Sequence, residues 1–341
     1  MEFLKNYWYP LALSSEVPAD KPYSTSLLNE PLVLFRDGDN QVICLYDSCP
    51  HQGVPLSRGQ VKNGNVECPY HGWQFGEGGE CKKIPSMAED APMPKGAKCN
   101  FAYPTEEKLG VVWVFAGDRA AMTPLRLPEG TTEEGWRHEV IIKELDASHK
   151  LMIAGALDFA HFPFLHTQTI AKKEQRNYLR PLDVSLEKYE HGMNMKVKNP
   201  DGEYNDFVYF FEPPCLVKVL IEPKPGWKLI ANDYFVPLTE NKTRIFVFEC
   251  RDWLVWNPLV TFGLKKKASK ILEEDFPILM MQQEWHEKGY GDWKCTVKAD
   301  LLSLRYRQWY DRLEREFAAQ SSGTSFQHFD KSIAEKTHTN V

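Results

Sequence analysis

The sequence predicts an α+β protein that begins with an all-β part. Up to about residue 118, short apolar runs alternate with turn residues such as Gly, Asn and Asp, a pattern typical of strands joined by hairpins. Residues 145–168 instead carry apolar side chains at helical spacing, and strand-like runs return from 208 to 249. Residues 258–288 are again mostly helical. We therefore expect strands first, and then a mixture of helices and strands.

The chain of 341 residues is long enough for two domains. A proline-rich stretch from Pro124 to Pro128 follows the last strand predicted in the β part and marks the boundary. We predict a β domain at residues 1–118, a second domain at 119–318 and a flexible polar tail at 319–341.

Two hairpins and a buried strand are predicted within the β part. Residues 32–35 and 42–46 flank a turn of Asp, Gly and Asn residues at 37–40. A second hairpin joins residues 73–75 to 81–84 through a glycine-rich turn, and the apolar run 111–115 is a buried strand.

Two helical segments are predicted in the second part. In the first, Met152, Ile153 and Ala156 recur at helical spacing, and either Asp146 or Ser148 could cap the start. In the second, Pro277 is expected to interrupt the helix.

Composition and charge exclude several classes of protein. Lys and Arg number 41 against 47 Asp and Glu, a net charge of −6 without a basic block, so we expect no nucleic-acid partner. The first residues do not resemble a signal peptide, and no apolar run reaches the ~18 residues that cross a bilayer. We expect a cytoplasmic protein, or one at the periphery of a photosynthetic membrane.

Two short motifs, separated by sixteen residues, each combine a cysteine with a histidine. They read C-P-H at residues 49–51 and C-P-Y-H at residues 68–71. In a Rieske [2Fe–2S] cluster, two Cys hold one iron and two His hold the other. A structural zinc site is the alternative, but zinc motifs more often group like ligands together. The pattern favours the cluster, with four ligands: Cys49, His51, Cys68 and His71.

A second metal site is indicated by the segment from Asp158 to His166. Two His five residues apart would diverge on an ideal helix, at about 100° per residue. Pro163 breaks that helix, so His161 and His166 can face the same side. Two imidazoles and one carboxylate are the ligands of non-haem Fe(II) sites that activate O₂. Spacing leaves three candidates for the carboxylate on the late helix: Glu273, Glu274 and Asp275.

Asp158 lies three residues before His161, on the same helical face. It could orient the ring of His161 as a hydrogen-bond acceptor, or link the iron site to a histidine of the cluster, and these roles are compatible. A cluster that stores one electron needs an acceptor, so an O₂-activating iron in the same chain indicates an oxygenase.

With these motifs, the chain resembles the α subunit of Rieske non-haem iron oxygenases from about residue 6 to residue 313. The family's late acidic ligand corresponds to Asp275, because Glu274-Asp275 is followed by Gln282-Gln283. The resemblance implies a catalytic domain of curved antiparallel sheet around a long helix. It also implies head-to-tail homotrimers, in which the cluster of one subunit feeds the iron of the next through Asp158. Ferredoxin or a reductase, O₂ and a small-molecule substrate are the implied partners.

Within that family, the catalytic half is most similar to the oxygenases that convert chlorophyllide a towards chlorophyll b pigments. Residues 157–169, 212–215, 241–244 and 304–309 carry this similarity, which implies oxidation of a ring methyl to formyl. One departure is Gly155, where the family usually has Asn. Two other functions remain open: a Rieske monooxygenase for another small aromatic or alkaloid-like metabolite, and an electron-transfer protein without oxygenase activity.

Overall fold

The computed structural model describes residues 3–99, 101–169, 183–189, 192–198, 207–291 and 294–321. The predicted tail at 319–341 lies outside these ranges, apart from its first residues, which continue the last helix. The domain boundaries stay a prediction.

Three antiparallel sheets form the N-terminal part, which is all β as predicted. In the first sheet, β11 lies between β1 and β10, and in the second the order is β2-β3-β4-β9. The third is a meander of four short strands, β5 to β8. The strands are β1 (Tyr7–Leu13), β2 (Tyr23–Leu27), β3 (Glu30–Arg36), β4 (Val42–Tyr46), β5 (Gln60–Lys62), β6 (Asn65–Glu67), β7 (Gln74–Phe75), β8 (Cys81–Lys83), β9 (Ala102–Tyr103), β10 (Thr105–Lys108) and β11 (Val111–Ala116). Both predicted hairpins and the buried strand are confirmed.

The hairpin of β3 and β4 belongs to two hydrophobic cores. Because successive side chains of a strand point to opposite faces, Leu32 and Leu34 enter the core shared with the second part of the chain. Val33 and Phe35 enter the smaller core beneath the β5–β8 meander. The sheet is thus buried on both faces and joins the meander to the rest of the protein.

A seven-stranded antiparallel sheet forms the centre of the second part, in the order β12-β18-β17-β16-β15-β14-β13. The strands are β12 (Arg137–Leu145), β13 (Asp183–Tyr189), β14 (Gly192–Lys198), β15 (Phe207–Glu212), β16 (Leu216–Lys224), β17 (Trp227–Thr239) and β18 (Lys242–Arg251). The strands predicted between 208 and 249 are confirmed, whereas β12 is not among the predicted elements.

The N-terminal part is bonded directly to this sheet. The backbone amides of Leu28 and Asn29, in the turn after β2, donate to carbonyls of β17. Arg244 on β18 is almost fully buried and donates to both carboxylate oxygens of Glu16 and to the hydroxyl of Tyr23. A charged pair of this kind fixes the relative position of the parts it joins.

Four helices accompany the sheet among the described residues: α1 (His149–Ala156), α2 (Phe162–Leu165), α3 (Pro258–Glu287) and α4 (Leu301–Ser321). Ser148 caps α1, one of the two predicted caps, but the helical pattern of 145–168 forms two short helices. The interruption predicted at Pro277 is wrong, because α3 runs through it. Pro277 lies on the exposed side, where water can bind the backbone carbonyl that it leaves free. No helix within the described ranges is long and apolar enough to cross a bilayer.

Candidate metal centres

The two cysteine-histidine motifs form equivalent loops at the edge of the small core. The amide of Cys49 donates to Val54, and the amide of Cys68 donates to Trp73, at 2.9 and 2.8 Å. In each loop a glycine then donates back to the cysteine carbonyl with its φ at +71°, a conformation that glycine adopts without steric cost. The repeated hydrogen bonds hold the two loops in the same shape.

The loops separate their ligands into a buried pair and an exposed pair. The thiols of Cys49 and Cys68 are buried, whereas both histidines lie at the surface with their ring centroids 4.7 Å apart. The His51 ring stacks on Trp73 at 4.5 Å. Burial raises the pKa of the Cys49 thiol to about 11, against hydrogen bonds from the backbone of His51 and Gln52 that lower it.

This arrangement fits two metal ions with two ligands each, and it does not fit a single zinc. One ion would need all four donor atoms close together. In the part of the chain that the structure describes, no three of these four residues have donor atoms that all lie within 4.8 Å of one another. Their separation into a cysteine pair and a histidine pair matches a Rieske [2Fe–2S] cluster.

A compact group does form at the second predicted site, from His161, His166 and Asp275. His161 and His166 flank α2, and Pro163 lies in the first turn of this helix. Proline fits the first turn of a helix but not its interior, so the segment forms a short separate helix and not a continuous long one. As a result, the Nε2 atoms of the two histidines lie 3.1 Å apart, although the residues are five positions apart. The predicted inward turn of His166 is what the structure shows.

The three acidic candidates on α3 face different neighbours. Asp275 Oδ1 lies 3.6 Å from His161 Nε2 and 3.3 Å from His166 Nε2. Glu274 instead lies 3.0 Å from Nδ1 of His166, and Glu273 pairs with Lys143 away from the histidines. Only Asp275 therefore faces both imidazole Nε2 atoms.

The donor set suits a divalent cation. Burial raises the pKa of Asp275, while the two neighbouring histidines oppose that shift, so a cation among these groups stabilises the carboxylate. Glu274 holds the outer nitrogen of His166, which leaves Nε2 to face the group. Two imidazoles and one carboxylate on one side match the non-haem Fe(II) arrangement.

Asp158 is a looser neighbour of this group. Its Oδ1 accepts from the amide of Ala160 at 2.7 Å, and its Oδ2 lies 3.7 Å from His161 Nδ1, which is beyond a hydrogen bond. About a third of the side chain is exposed. Gly155, three residues earlier, lies against α3, since a Cβ atom there would come within 3.2 Å of Leu279. Glycine at this position lets α1 pack close to α3 without a shift of the Leu279 side chain.

A cavity of about 360 Å³ opens beside the three grouped residues, which line it together with Asp158. Strands β15 to β18 form one side, and helices α1 and α3 form the other. Most of the lining is aliphatic, as in sites that enclose small organic molecules.

Two buried carboxyl groups in this cavity were missed by the sequence analysis. Asp233 and Glu249 lie on neighbouring strands of one hairpin, where Ala231 pairs with Glu249 and Asp233 pairs with Val247. Burial raises the pKa of each to about 7, and for Asp233 the nearby charge of Glu249 adds to the effect. Asp233 Oδ1 and Glu249 Oε2 are buried without a hydrogen-bond partner. The sequence signal that could have identified them is the presence of an acidic residue in each of the two apolar strands of one hairpin.

Two family models match the chain. One describes the Rieske [2Fe-2S] domain and matches residues 7–102. The other, which describes the vanillate O-demethylase oxygenase C-terminal domain, matches residues 145–316 and so covers half of the chain.

Similar proteins support the same grouping. Chlorophyllide a oxygenase of Oryza sativa subsp. japonica is 32% identical over 92% of this chain, and the protein TIC 55 of Arabidopsis thaliana is 30% identical over 90%. The chain spans only 58% and 59% of the length of these relatives. The crystal structure of dicamba monooxygenase bound to dicamba has the same fold, with a TM-score of 0.81 at 23% identity over 94% of this chain and the whole of that one. The two matched models and these relatives together place the chain among the Rieske non-haem iron oxygenases.

Proposed function

We propose that this protein is an oxygenase that uses O₂ and electrons from a ferredoxin or reductase to hydroxylate a C–H bond of a small molecule. The observation that carries the proposal is the opening of the His161, His166 and Asp275 group into a largely apolar cavity. An electron-transfer protein would not need such a cavity.

In this proposal, two sets of residues hold the two iron centres. Cys49, His51, Cys68 and His71 hold the [2Fe–2S] cluster, and His161, His166 and Asp275 hold Fe(II). When bound, the cluster supplies electrons one at a time and the mononuclear iron supplies O₂ activation.

The surrounding residues orient the ligands and exclude water. Glu274 fixes the orientation of the His166 ring, and the aliphatic walls from the sheet and α3 keep water from the reacting C–H bond. The cluster histidines and Asp158 are accessible on the single chain, which suits electron transfer between subunits of a head-to-tail homotrimer.

The proposed substrate is a chlorophyllide-like pigment, oxidised at a ring methyl to formyl. The similarity to chlorophyllide a oxygenases over more than 90% of the chain supports it. A second candidate is a small aromatic or alkaloid-like metabolite with nitrogen donors. The unpartnered oxygens of Asp233 and Glu249 favour it, because a buried acceptor is stabilised by a substrate N–H group.

An assay with chlorophyllide a separates the two candidates. With O₂ and a reduced ferredoxin system, we expect a product whose absorption band is shifted by the new formyl group. A protein that binds both metals and oxidises an aromatic amine, but leaves the pigment unchanged, would exclude the first candidate.

Replacement of Asp275 with Ala should remove the mononuclear iron and all turnover. The loss of even an outer partner of a metal ligand typically costs about 10–100-fold in affinity, so the loss of a ligand should cost at least about 100-fold. The visible spectrum of the cluster should persist, since its ligands lie on other loops. Glu273→Ala is the matched control, because Glu273 pairs with Lys143 and Ser269 and not with the two histidines among the described residues. Retention of the iron in Asp275→Ala would remove Asp275 from the ligand set.

Replacement of Asp158 with Asn should leave both metals bound but slow cluster oxidation in a single turnover. We expect a decrease of about tenfold, the lower end of the effect of changing residues around metal ligands, because Asp158 Oδ2 lies 3.7 Å from His161 Nδ1. Asp146→Asn, which changes an exposed acid just before α1, is the control. An unchanged rate in Asp158→Asn would reduce Asp158 to a structural acceptor.

Replacement of Asp233 with Asn should stabilise the protein at pH 8 but not at pH 5. The folded state keeps the Asp233 proton up to a pKa of about 7, whereas the unfolded state releases it near 4, so stability falls as the pH rises through this range. A difference of about three pKa units corresponds to about 4 kcal/mol, so we expect a gain of up to about 4 kcal/mol at pH 8, measured by urea unfolding.

Asp39→Asn, in the exposed turn after β3, should keep the pH dependence of the unmodified protein. A gain in stability together with altered substrate selectivity would identify Asp233 as a group kept for binding. A loss of stability in Asp233→Asn at pH 8 would show instead that the carboxylate has a structural partner.

A further inference from the structure

A group of exposed apolar side chains lies where α3 begins, next to the hairpin of β16 and β17. Trp256, Leu259 and Phe262 are 76, 79 and 69% exposed. Soluble proteins rarely expose large apolar side chains in such close succession unless they form an interaction surface. We call these three residues, with the lysines that follow on α3, the tryptophan face.

The tryptophan face is held rigidly. Arg251 is buried and donates to the carbonyl of Trp253 and to Thr261 Oγ1, so it ties the turn before α3 to the first turns of the helix. Asn257 caps α3 by accepting from the amides of Leu259 and Val260. The apolar side chains are therefore presented by a fixed helix end.

The neighbouring hairpin extends the same surface. Trp227 stacks on Trp253 with their ring centroids 4.5 Å apart, and Lys224 lies over the ring of Trp227. Tryptophan beside lysine is a combination typical of membrane interfaces, where the ring lies at the level of the lipid headgroups.

The charge of this region is opposite to that of the protein. Residues 222–228 and 252–270 contain six lysines and two acidic residues, in a chain with a net charge of −6. The acids at the hairpin, Glu222 and Asp252, accept hydrogen bonds from backbone amides of Gly226 and Lys228. This local excess of positive charge favours an anionic partner.

The geometry of α3 matches insertion into a lipid headgroup layer. At about 100° per residue, Leu259, Phe262 and Lys266 share one side of the helix. Lys266 lies seven residues behind Leu259, which is roughly 10 Å along the axis, close to the depth of about 5–10 Å to which amphipathic elements enter a membrane. With the apolar end inserted, the lysines lie among the headgroups.

The tryptophan face also borders the substrate cavity. Leu264 and Lys267 of α3, and Pro223 of the hairpin, line that cavity. An apolar substrate dissolved in the bilayer would thus meet the cavity without crossing water.

We propose that the tryptophan face docks this protein reversibly on the surface of a membrane that contains anionic lipids. This proposal does not depend on the identity of the substrate. A second copy of the chain is the competing occupant, but two copies that met through this same face would bring their lysines together, and this repulsion disfavours the pairing.

Vesicle co-sedimentation with the holoenzyme tests the proposal. We expect binding to vesicles of phosphatidylcholine and phosphatidylglycerol in equal parts, weak binding to phosphatidylcholine alone, and loss of binding at high salt. Trp256→Ser combined with Leu259→Ser and Phe262→Ser should weaken binding at least about tenfold, as should Lys265→Gln with Lys266→Gln.

The matched control is Met280→Ser with Met281→Ser, which removes apolar side chains exposed by 50 and 53% near the other end of α3. This pair should bind vesicles like the unmodified protein, and the cluster spectrum verifies the fold of every variant. Equal vesicle binding by all variants, or no binding by the unmodified protein, would overturn the proposal. A change in molar mass of the tryptophan-face variants, without an effect on vesicles, would assign the face to contacts between copies.

Discussion

The group formed by His161, His166 and Asp275 depends on how α3 docks against the segment that carries the two histidines. Gln283 accepts from the amide of Ser148 at the start of α1, Glu274 contacts Nδ1 of His166, and Asp275 faces both Nε2 atoms. Because neighbouring helical residues differ by about 100° in direction, the rotation of α3 about its axis decides which of the two carboxylates faces the Nε2 atoms. An unbroken helix between these contacts is therefore required, even though it passes through a proline.

The metal-binding loops could be predicted from the sequence because their information is local. The cysteine-histidine motifs carry their own turn residues, and Pro163 explains why two histidines five positions apart can meet. The acidic ligand could not be chosen from spacing, since Glu273, Glu274 and Asp275 are adjacent and only the rotation of α3 distinguishes them. The resemblance to a family pointed to Asp275, which of the three lies next to both Nε2 atoms, and its role as a ligand stays a prediction.

Other features depended on contacts between distant segments and could not be predicted. An acidic residue in a strand can face water or a cavity, and for Asp233 the answer depends on α3 covering that side of the sheet. Gly155 likewise has no local reason to be glycine, and the side chain that a Cβ atom there would meet, Leu279, belongs to a helix far away in the sequence. Pro277 was expected to break α3. The helix continues through it, because α3 packs against the rest of the protein and water can bind the carbonyl that Pro277 leaves free.

The hairpin of β3 and β4, with one face in each core, has a consequence for how such proteins diversify. Alternate residues of β3 pack against different neighbours: Leu32 and Leu34 against the second part of the chain, and Val33 and Phe35 against the meander. A chimaera assembled from two relatives by a single crossover near this hairpin would inherit mismatched halves. To keep both cores packed, such a chimaera would need alternate residues of this strand to come from different parents.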